Sequence, residues 1–535
     1  MTGKTETPPS LLRNTQFFTL WAAVELSFLG MFIHVVAGGW LMTALTPSAA
    51  LVSLIQTAYA LPMVAFSVVA GAMADTFDRR ITMIISLAIS LLASVGLAFF
   101  SVTSMLTPWS ILALIFAVGS GVAIFTPSWQ SSLGDIVPRE RLVEAVSLHN
   151  IGANVMRTVG PSIGGILVAS AGAGITFMVG AVSYLPALIV MFFRSPVQAK
   201  SNDREGFRSA LVLGFRFLAV SQPLQILLLR VFCFSLAAIC VMAMLPLVAR
   251  DQFGQGALTY GFLFGGYGFG AILGGLCMKY LRRRFTVDHI VCSAFLMSAV
   301  AMALLAISRN LWGGLPSTVL GGACWLTVHS LQNSVLQLSS PRWIAGRMVA
   351  MFLSSAFLGL SIGGWLWGVV AEHFRTEGAL GGATVLMLGA FALAVKFPLP
   401  DTTGINHDPL GTTELADEQN MTSHGGPLHV VIEHQIDAGH VSTFMALMET
   451  RRRHLTRLGA THWVLLRDLR RTGRWTESFQ TNSWTDYRRM MSRRTSETAA
   501  LRQQVIDLQL ENAEPVVHLM LQTRVPRQAG TMLRA

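Results

Sequence analysis

The chain has 535 residues, of which 52% are hydrophobic and only 13% are charged, and its formal net charge is +11. Soluble domains carry about 25% charged residues, so this composition excludes an ordinary soluble protein of this length. Most of the basic excess lies in residues 1–400, where Lys and Arg separate apolar runs. A nucleic-acid-binding protein would instead collect its basic residues on a soluble surface. We therefore expect a protein of the lipid bilayer with no nucleic-acid partner.

The N-terminus begins with a polar stretch, residues 1–16, which we assign to the cytoplasm. The apolar run that follows, 17–45, is much longer than the ~7–15 apolar residues of a signal peptide. This length predicts a first transmembrane helix and no cleavable signal.

Twelve apolar runs have the ~20 residues that a membrane-spanning helix needs. They are 17–45, 49–74, 81–103, 109–133, 145–171, 174–193, 224–249, 257–280, 286–308, 312–337, 345–373 and 379–398. The longest connection between them, 194–222, lies at the midpoint and is predicted to be a cytoplasmic loop. It divides the helices into two six-helix halves, 17–193 and 223–398.

The short loops alternate in charge. One set is basic throughout and includes Arg79, Arg80, Arg139, Arg141, Arg282, Arg283, Arg284, Arg342 and Arg347, whereas the other set carries only Arg250, Arg309 and Arg375. Because loops rich in Lys and Arg stay in the cytoplasm, this asymmetry predicts that both termini are cytoplasmic.

The two halves also repeat in sequence at an offset of 203 residues. Gly71, Arg79, Arg80, Pro138, Arg139, Gly160 and Gly165 recur as Gly274, Arg282, Arg283, Pro341, Arg342, Gly363 and Gly368. Two parallel repeats about an axis along the membrane normal are typical of one large class of secondary transporters.

Four sequence segments resemble those of a known family. Gly71, Asp75, Asp78, Arg79 and Arg80, between the second and third helices, resemble the loop motif of the major facilitator superfamily. Gly160, Pro161, Gly164 and Gly165, on the fifth helix, are similar to its antiporter motif. The segment 133–142 and positions 451–484 of the tail resemble the enterobactin-exporter-like branch, also called the transmembrane secretion effector family.

This resemblance implies an all-α polytopic protein of the bacterial inner membrane with the major facilitator fold. It implies secondary active export of a siderophore-like or drug-like small molecule, by proton antiport and alternating access. We expect no enzyme activity and no cofactor, and we expect no metal site because the five cysteines lack metal-ligand spacing. The alternatives are a transporter that carries a catalytic tail and a sensor that transports nothing.

Polar residues inside the predicted spans are candidates for the substrate and proton cavity, because a charge there costs about 2.5–3.5 kcal/mol to insert. His329, Gln332 and Asn333 share one helix face, and the resemblance implies that helices 1, 4, 7 and 10 line the cavity. The full set is Glu25, His34, Trp129, Gln130, Arg157, Arg230, His329, Gln332 and Asn333. The alternative for each is an interface pair, an interhelical hydrogen bond or a charged group near a helix end.

A second expectation concerns the cytoplasmic gate. The resemblance implies a charge relay among Asp75, Arg79 and Asp135, with Asp75 facing the start of helix 11 near Arg347. We expect these contacts to form only when the two halves close on the cytoplasmic side. The alternative is that the charges end a loop and set topology.

The last 137 residues differ from the rest. Residues 399–427 have the composition of a linker, and 428–525 alternate as strand, helix, strand, strand, helix, strand. That order is typical of a small α+β ferredoxin-like domain, and it resembles the dimeric α+β barrel of antibiotic-biosynthesis monooxygenases. We expect a regulatory or dimerising domain that joins two copies of the chain.

Overall fold

The computed structural model describes residues 11–76, 78–138, 141–193, 207–399, 426–492, 496–510 and 515–522. The side chains of 12, 67–76, 143, 207–213, 342, 343, 489, 492, 496 and 497 lie outside this description. The chain forms two compact units. The first, the membrane unit, comprises Met1–Arg204, Ile226–Val335 and Val349–Pro400. The second, the tail unit, comprises Glu205–Gln225, Leu336–Met348 and Asp401–Ala535.

Helices make up the described part of the membrane unit. The first half contains α1 (Thr15–Leu45), α2 (Ala49–Thr76), α3 (Arg79–Val102), α4 (Pro108–Ile136), α5 (Leu142–Val182) and α6 (Leu185–Phe193). A further helix, α7 (Phe207–Val220), occupies part of the segment that the sequence analysis treated as a loop. The second half contains α8 (Gln222–Leu247), α9 (Ala257–Leu281), α10 (Val287–Ile307), α11 (Leu311–Leu338) and α12 (Arg342–Lys396).

Nine helices within the described ranges are long and apolar enough to cross a membrane, which confirms a multi-pass membrane protein. Two helices are much longer than one crossing requires: α5 has 41 residues and α12 has 55. At 1.5 Å per residue, α12 would extend about 80 Å, well beyond the ~30 Å of a bilayer core. Left-handed backbone interrupts both helices, at Gly172 (φ 80°) and at Arg375 (φ 60°).

Glycines allow the same helix pairing in both halves. A Cβ at Gly160 would lie 2.7 Å from Phe32 Cβ, so α5 packs directly on α1. A Cβ at Gly363 would lie 2.5 Å from Leu236 O, so α12 packs directly on α8. Gly160 and Gly363 are related by the 203-residue offset, and the repeat in sequence is therefore a repeat in packing.

A second glycine pair brings the two halves together. A Cβ at Gly165 of α5 would lie 2.5 Å from Gly261 Cα of α9. The repeat-related position is Gly368 of α12. A Cβ there would lie 2.8 Å from Ala50 Cα of α2. Each contact joins one half to the other. Both lie away from the helix ends that carry Arg79, Arg80, Arg282 and Arg283, which we call the basic end.

The tail unit contains a four-stranded antiparallel sheet, which confirms a small C-terminal sheet. Its elements are β1 (Leu428–Gln435), α13 (Val441–Leu458), β2 (Thr461–Arg467), β3 (Arg474–Thr481), α14 (Trp484–Ser492), α15 (Ser496–Ile506) and β4 (Val516–Leu521). The strand order is β2-β3-β1-β4, with Val430 opposite Phe479 and Leu519. Alternate residues of β1 and β3 are buried, as expected for strands with one covered face.

Helix α7 belongs to the tail unit. It packs against α13, and the Arg457 guanidinium donates a hydrogen bond from Nη2 to the carbonyl oxygen of Val220, at 3.4 Å. The central connection between the halves and the C-terminal sheet therefore share one compact unit.

Candidate functional site

Arg157, on α5, lies where helices of both halves converge. Its guanidinium carbon is 5.8 Å from the ring centroid of Phe32 on α1. It lies near enough to Tyr59 of α2, Tyr267 of α9 and His329 of α11 for its charge to act on those side chains. Within the described ranges, Arg157 forms no ion pair. We call Arg157, Phe32, Tyr59, Tyr267 and His329 the central cluster.

Aromatic rings surround the His329 side of the central cluster. The His329 ring centroid lies 4.2 Å from that of Trp325, 5.8 Å from that of Phe234 and 6.1 Å from that of Phe352. Its Nε2 is 3.4 Å from Ser235 Oγ. Because Phe234 lies on α8 and Phe352 on α12, three helices of the second half supply these rings.

The predicted polar face of α11 divides in the structure. His329 and Asn333 keep part of their surface accessible, whereas Gln332 is completely buried. Neither polar atom of the Gln332 amide has a hydrogen-bond partner among the described residues. Of this face, only His329 belongs to the central cluster as defined above.

Glu25 lies inside the first half. Its Oε1 is 2.8 Å from Nδ1 of His149 on α5, and both side chains are buried. The rings of Phe28 and Trp129 pack beside His149 at 5.7 and 6.1 Å. The sequence analysis missed His149, although a histidine within an apolar span was a sufficient signal to include it.

Three further candidates lie outside the central cluster. His34 is completely buried in the first half, with Nδ1 2.6 Å from Gly30 O and its ring stacked on Phe177. Trp129 is also completely buried, and Gln130 is exposed. The structure therefore does not bring all of the predicted cavity residues together.

Arg230 forms an interface pair. Its Nη1 lies 3.0 Å from Asp288 Oδ1 and donates to Phe397 O at 3.1 Å. Asp288 also accepts from the backbone N–H of Leu399 at 3.0 Å. These contacts join α8, α10 and the end of α12. Arg230 therefore matches the alternative of an interface pair between helices.

Part of the predicted gate relay is present at the basic end. Arg79 Nη1 lies 2.6 Å from Asp135 Oδ2, and the Asp78 carboxylate caps α3 by accepting from Arg80 N at 2.8 Å. The Arg79–Asp135 pair joins α3 to α4 within one half, and the dependence of the relay on closure of the two halves stays a prediction. The side chain of Asp75 and the surroundings of Gly71 lie outside the described residues, and Arg347 is half-buried.

The antiporter motif has a packing role in the structure. Gly160 and Gly164 bring α5 against α1, since a Cβ at Gly164 would lie 3.3 Å from Ile33 Cα. Gly165 brings the same helix against α9 of the other half. Pro161 lies within α5 between these contacts. The motif therefore places α5, and Arg157 with it, between the two halves.

Another contact between halves lies at the end of the helices opposite the basic end. Glu372 of α12 accepts hydrogen bonds from Ser48 Oγ and from Ala50 N at the start of α2, the latter at 3.4 Å. A carboxylate is favoured there by the exposed N–H groups of a helix N-terminus. Asp251, Glu372, Arg375 and Glu377 line an adjacent pocket of about 510 Å³.

The tail unit contains a buried polar network. The Glu477 carboxylate accepts from Arg451 Nε at 2.9 and 3.0 Å and from Trp463 Nε1 at 2.8 Å. His434 Nε2 lies 3.4 Å from it, and His434 Nδ1 lies 2.8 Å from Gln509 Nε2. Burial alone would raise the pKa of Glu477, but Arg451, His434 and Trp463 outweigh it, so that pKa lies below its usual value.

The chain is similar to known exporters in sequence and to known transporters in fold. The enterobactin exporter EntS of Escherichia coli O1:K1 / APEC is 26% identical over 411 residues, which are 73% of this chain and 95% of that protein. EntS of Shigella boydii serotype 4 (strain Sb227) is 25% identical over 410 residues with the same coverage.

Solved structures give the same fold. A bacterial homologue of the human lysosomal transporter Spinster, inward-facing and unoccupied, superposes with a TM-score of 0.58 at 16% identity, over 74% of this chain and 96% of that one. The nucleoside transporter NupG gives 0.57 at 12% identity, over 72% and 98%. The model of the family described as transmembrane secretion effector matches residues 6–527. Because that match spans nearly the whole chain, the protein belongs to the transmembrane secretion effector family within the major facilitator superfamily.

Proposed function

We propose that the protein exports a siderophore-like or drug-like small molecule from the cytoplasm by proton antiport and alternating access. The observation that carries this proposal is the central cluster, in which polar and aromatic side chains from both halves meet within an apolar bundle. A substrate held there contacts both halves, so a change in their relative position alters its access. The exporter relatives support the direction of transport.

Twelve membrane crossings in two repeats agree with the helices. Nine helices in the described part of the chain are long and apolar enough to cross a membrane. The breaks at Gly172 and Arg375 divide two of them into successive crossings, and α11 supplies one more. With twelve crossings and basic loops in the cytoplasm, both termini are cytoplasmic in an inner membrane.

The described contacts between halves support a state that is closed at one end. Gly165 with Gly261, Thr57 Oγ1 with Ser361 O at 2.8 Å, and Glu372 with Ser48 all join the halves away from the basic end. In alternating access these contacts break when the opposite state forms. Substrate then enters from the cytoplasm and leaves on the other side.

The tail is proposed to be a ferredoxin-like domain that regulates the transporter or dimerises it. Its strand order, β2-β3-β1-β4, supports this fold. The rival function is a catalytic, monooxygenase-like tail. The ring nitrogens of His434, a candidate for such chemistry, face Glu477 and Gln509 inside the core. This arrangement favours a structural role for His434.

The proposed export is tested by measuring retention of candidate siderophores and drugs in energised cells. Cells that lack the gene retain more of the substrate than complemented cells, and an uncoupler has the same effect as the deletion. Complementation with Arg157→Gln fails, whereas the exposed control Arg309→Gln restores export. Accumulation that requires the protein would show import instead.

A further inference from the structure

We propose that the central cluster binds an aromatic anion, with Arg157 as the group that selects its negative charge. This inference rests on the proposed transport function and names the chemical class of its substrate. Two observations support it. Arg157 has no counter-charge among the described residues, and aromatic rings lie in the same region.

The charge of Arg157 is not balanced within the described part of the chain. Three other charged side chains of the described helices have ionic partners: Glu25 has His149, Arg230 has Asp288, and Arg79 has Asp135. A charge within a bilayer is costly unless a counter-charge or water-lined space accompanies it. Arg157 keeps part of its surface accessible, and a carboxylate or phenolate ligand supplies the missing counter-charge with a charge-assisted hydrogen bond.

The same surroundings disfavour a cationic substrate. Glu25, the single acidic residue of α1, pairs with His149 inside the first half. The acids near the pocket at the opposite end, Asp251, Glu372 and Glu377, belong to contacts at that end. No described carboxylate joins the central cluster, so a cation there would meet only the like charge of Arg157.

The rings specify an aromatic substrate. Phe32 lies on one side of Arg157, and Tyr267 and His329 lie on the side of the second half. Trp325, Phe234 and Phe352 extend the aromatic surface around His329. Flat rings pair with other rings at centroid separations of about 4.5–7 Å. A planar anion therefore contacts the guanidinium with its charged group and this surface with its ring.

A charge series tests the inference by binding alone. The purified full-length protein is dialysed to equilibrium against 2-naphthoate, 2-naphthamide and 2-naphthylmethylammonium, which share one ring system and differ in charge. We expect 2-naphthoate to bind at least about tenfold more tightly than 2-naphthamide, a difference of ~1.4 kcal/mol. The ammonium compound binds most weakly. Equal affinity for the acid and the amide, or preference for the ammonium compound, overturns the inference.

Variants assign the preference to Arg157. Arg157→Gln removes the difference between acid and amide, Arg157→Lys keeps part of it, and the matched control Arg309→Gln leaves it unchanged. If Arg157→Gln does not elute as a folded protein, the wild-type charge series and Arg157→Lys decide the question. A folded Arg157→Gln that still prefers the acid overturns the role of Arg157.

A ring series completes the test. Decahydro-2-naphthoate has the same charge as 2-naphthoate but no aromatic ring, and we expect it to bind at least about fivefold more weakly. Equal affinity overturns the aromatic part of the inference. Because these measurements need no flux, anion binding without export would contradict the proposed function, and export without anion preference would contradict this inference.

Discussion

At the scale of single residues, Glu25 illustrates how an acid is accommodated in an apolar helix. A carboxylate within a membrane span is costly, and the structure places His149 Nδ1 2.8 Å from it. The pair is enclosed by Phe28 and Trp129 and connects α1 to α5. Helix α5 also carries Arg157, two turns further on. A change of charge on the pair therefore acts on the helix that carries the central cluster.

We predict that Glu25→Gln uncouples transport from protons. The glutamine keeps the size of the side chain but cannot exchange a proton with His149. In proteoliposomes with an imposed pH gradient, we expect substrate flux in the variant to fall at least about tenfold and to lose its dependence on the gradient. Glu377→Gln, at an exposed ion pair with Arg309, serves as the control. Wild-type flux and pH dependence in Glu25→Gln would remove Glu25 from the transport mechanism.

At the scale of helices, glycines decide which surfaces meet. Helices α5 and α9 approach so closely that Gly165 and Gly261 have no room for a side chain. Close approach without side chains gains van der Waals packing, which is the main force between helices in a membrane. Gly368 of α12 packs against α2 in the same way. The two contacts between the halves are therefore related by the sequence repeat. In the proposed alternating-access cycle, these contacts stabilise the closed state of the end opposite the basic end.

We predict that Gly165→Ala weakens closure at this end. The new Cβ would lie 2.5 Å from Gly261 Cα, and such overpacking costs about 1–3 kcal/mol. Cysteine pairs placed across α5 and α9 should cross-link at least about fivefold more slowly, and transport should fall.

Gly389→Ala is the matched control, because a Cβ at Gly389 meets no atom within 4 Å. Cross-linking and flux in Gly389→Ala should match the wild type. Wild-type cross-linking in Gly165→Ala would show that the contact is dispensable for closure.

At the scale of the whole molecule, the chain combines an apolar bundle with a polar tail unit. The tail has its own sheet and its own buried residues, including Val430, Phe444 and Phe479. Its network around Glu477 satisfies a buried carboxylate with several donors, which is the condition under which a buried charge is tolerated. We therefore expect residues 424–525 to fold as a soluble, dimeric fragment.

We predict that this fragment loses stability in acid through Glu477. The folded pKa of Glu477 lies below the ordinary value of 4.5, so its contribution is complete above about pH 4.5 and is lost as the pH falls through the folded pKa. Chemical unfolding between about pH 5 and pH 3 should show a steeper loss for the wild type than for Glu477→Gln, by on the order of 1 kcal/mol.

Glu449→Gln, at an exposed ion pair with Arg452 and Arg453, is the control and should keep the wild-type slope nearly unchanged. Identical slopes for the wild type and Glu477→Gln would contradict the role of Glu477. A disordered fragment would contradict the independent domain.

The sequence by itself determined the features that depend on composition along the chain. Apolar runs marked the helices, because a bilayer requires about 20 such residues in succession. Loop charges predicted which side of the membrane each loop faces, and the 203-residue repeat predicted the division into two halves. In the tail, alternating hydrophobicity predicted β1 and β3, since successive residues of a strand face opposite sides.

The tertiary structure decided which side chains meet. Sequence periodicity shows which residues share a helix face, but it does not show which helix that face meets. The partner depends on helix rotation and close approach, which glycines such as Gly160 and Gly165 set through packing. Because the partner helices could not be identified from the sequence, the sequence analysis placed Glu25, His34 and Arg157 in one cavity. The structure pairs Glu25 with His149, buries His34 against Phe177, and brings Arg157 alone of the three to the region shared by both halves.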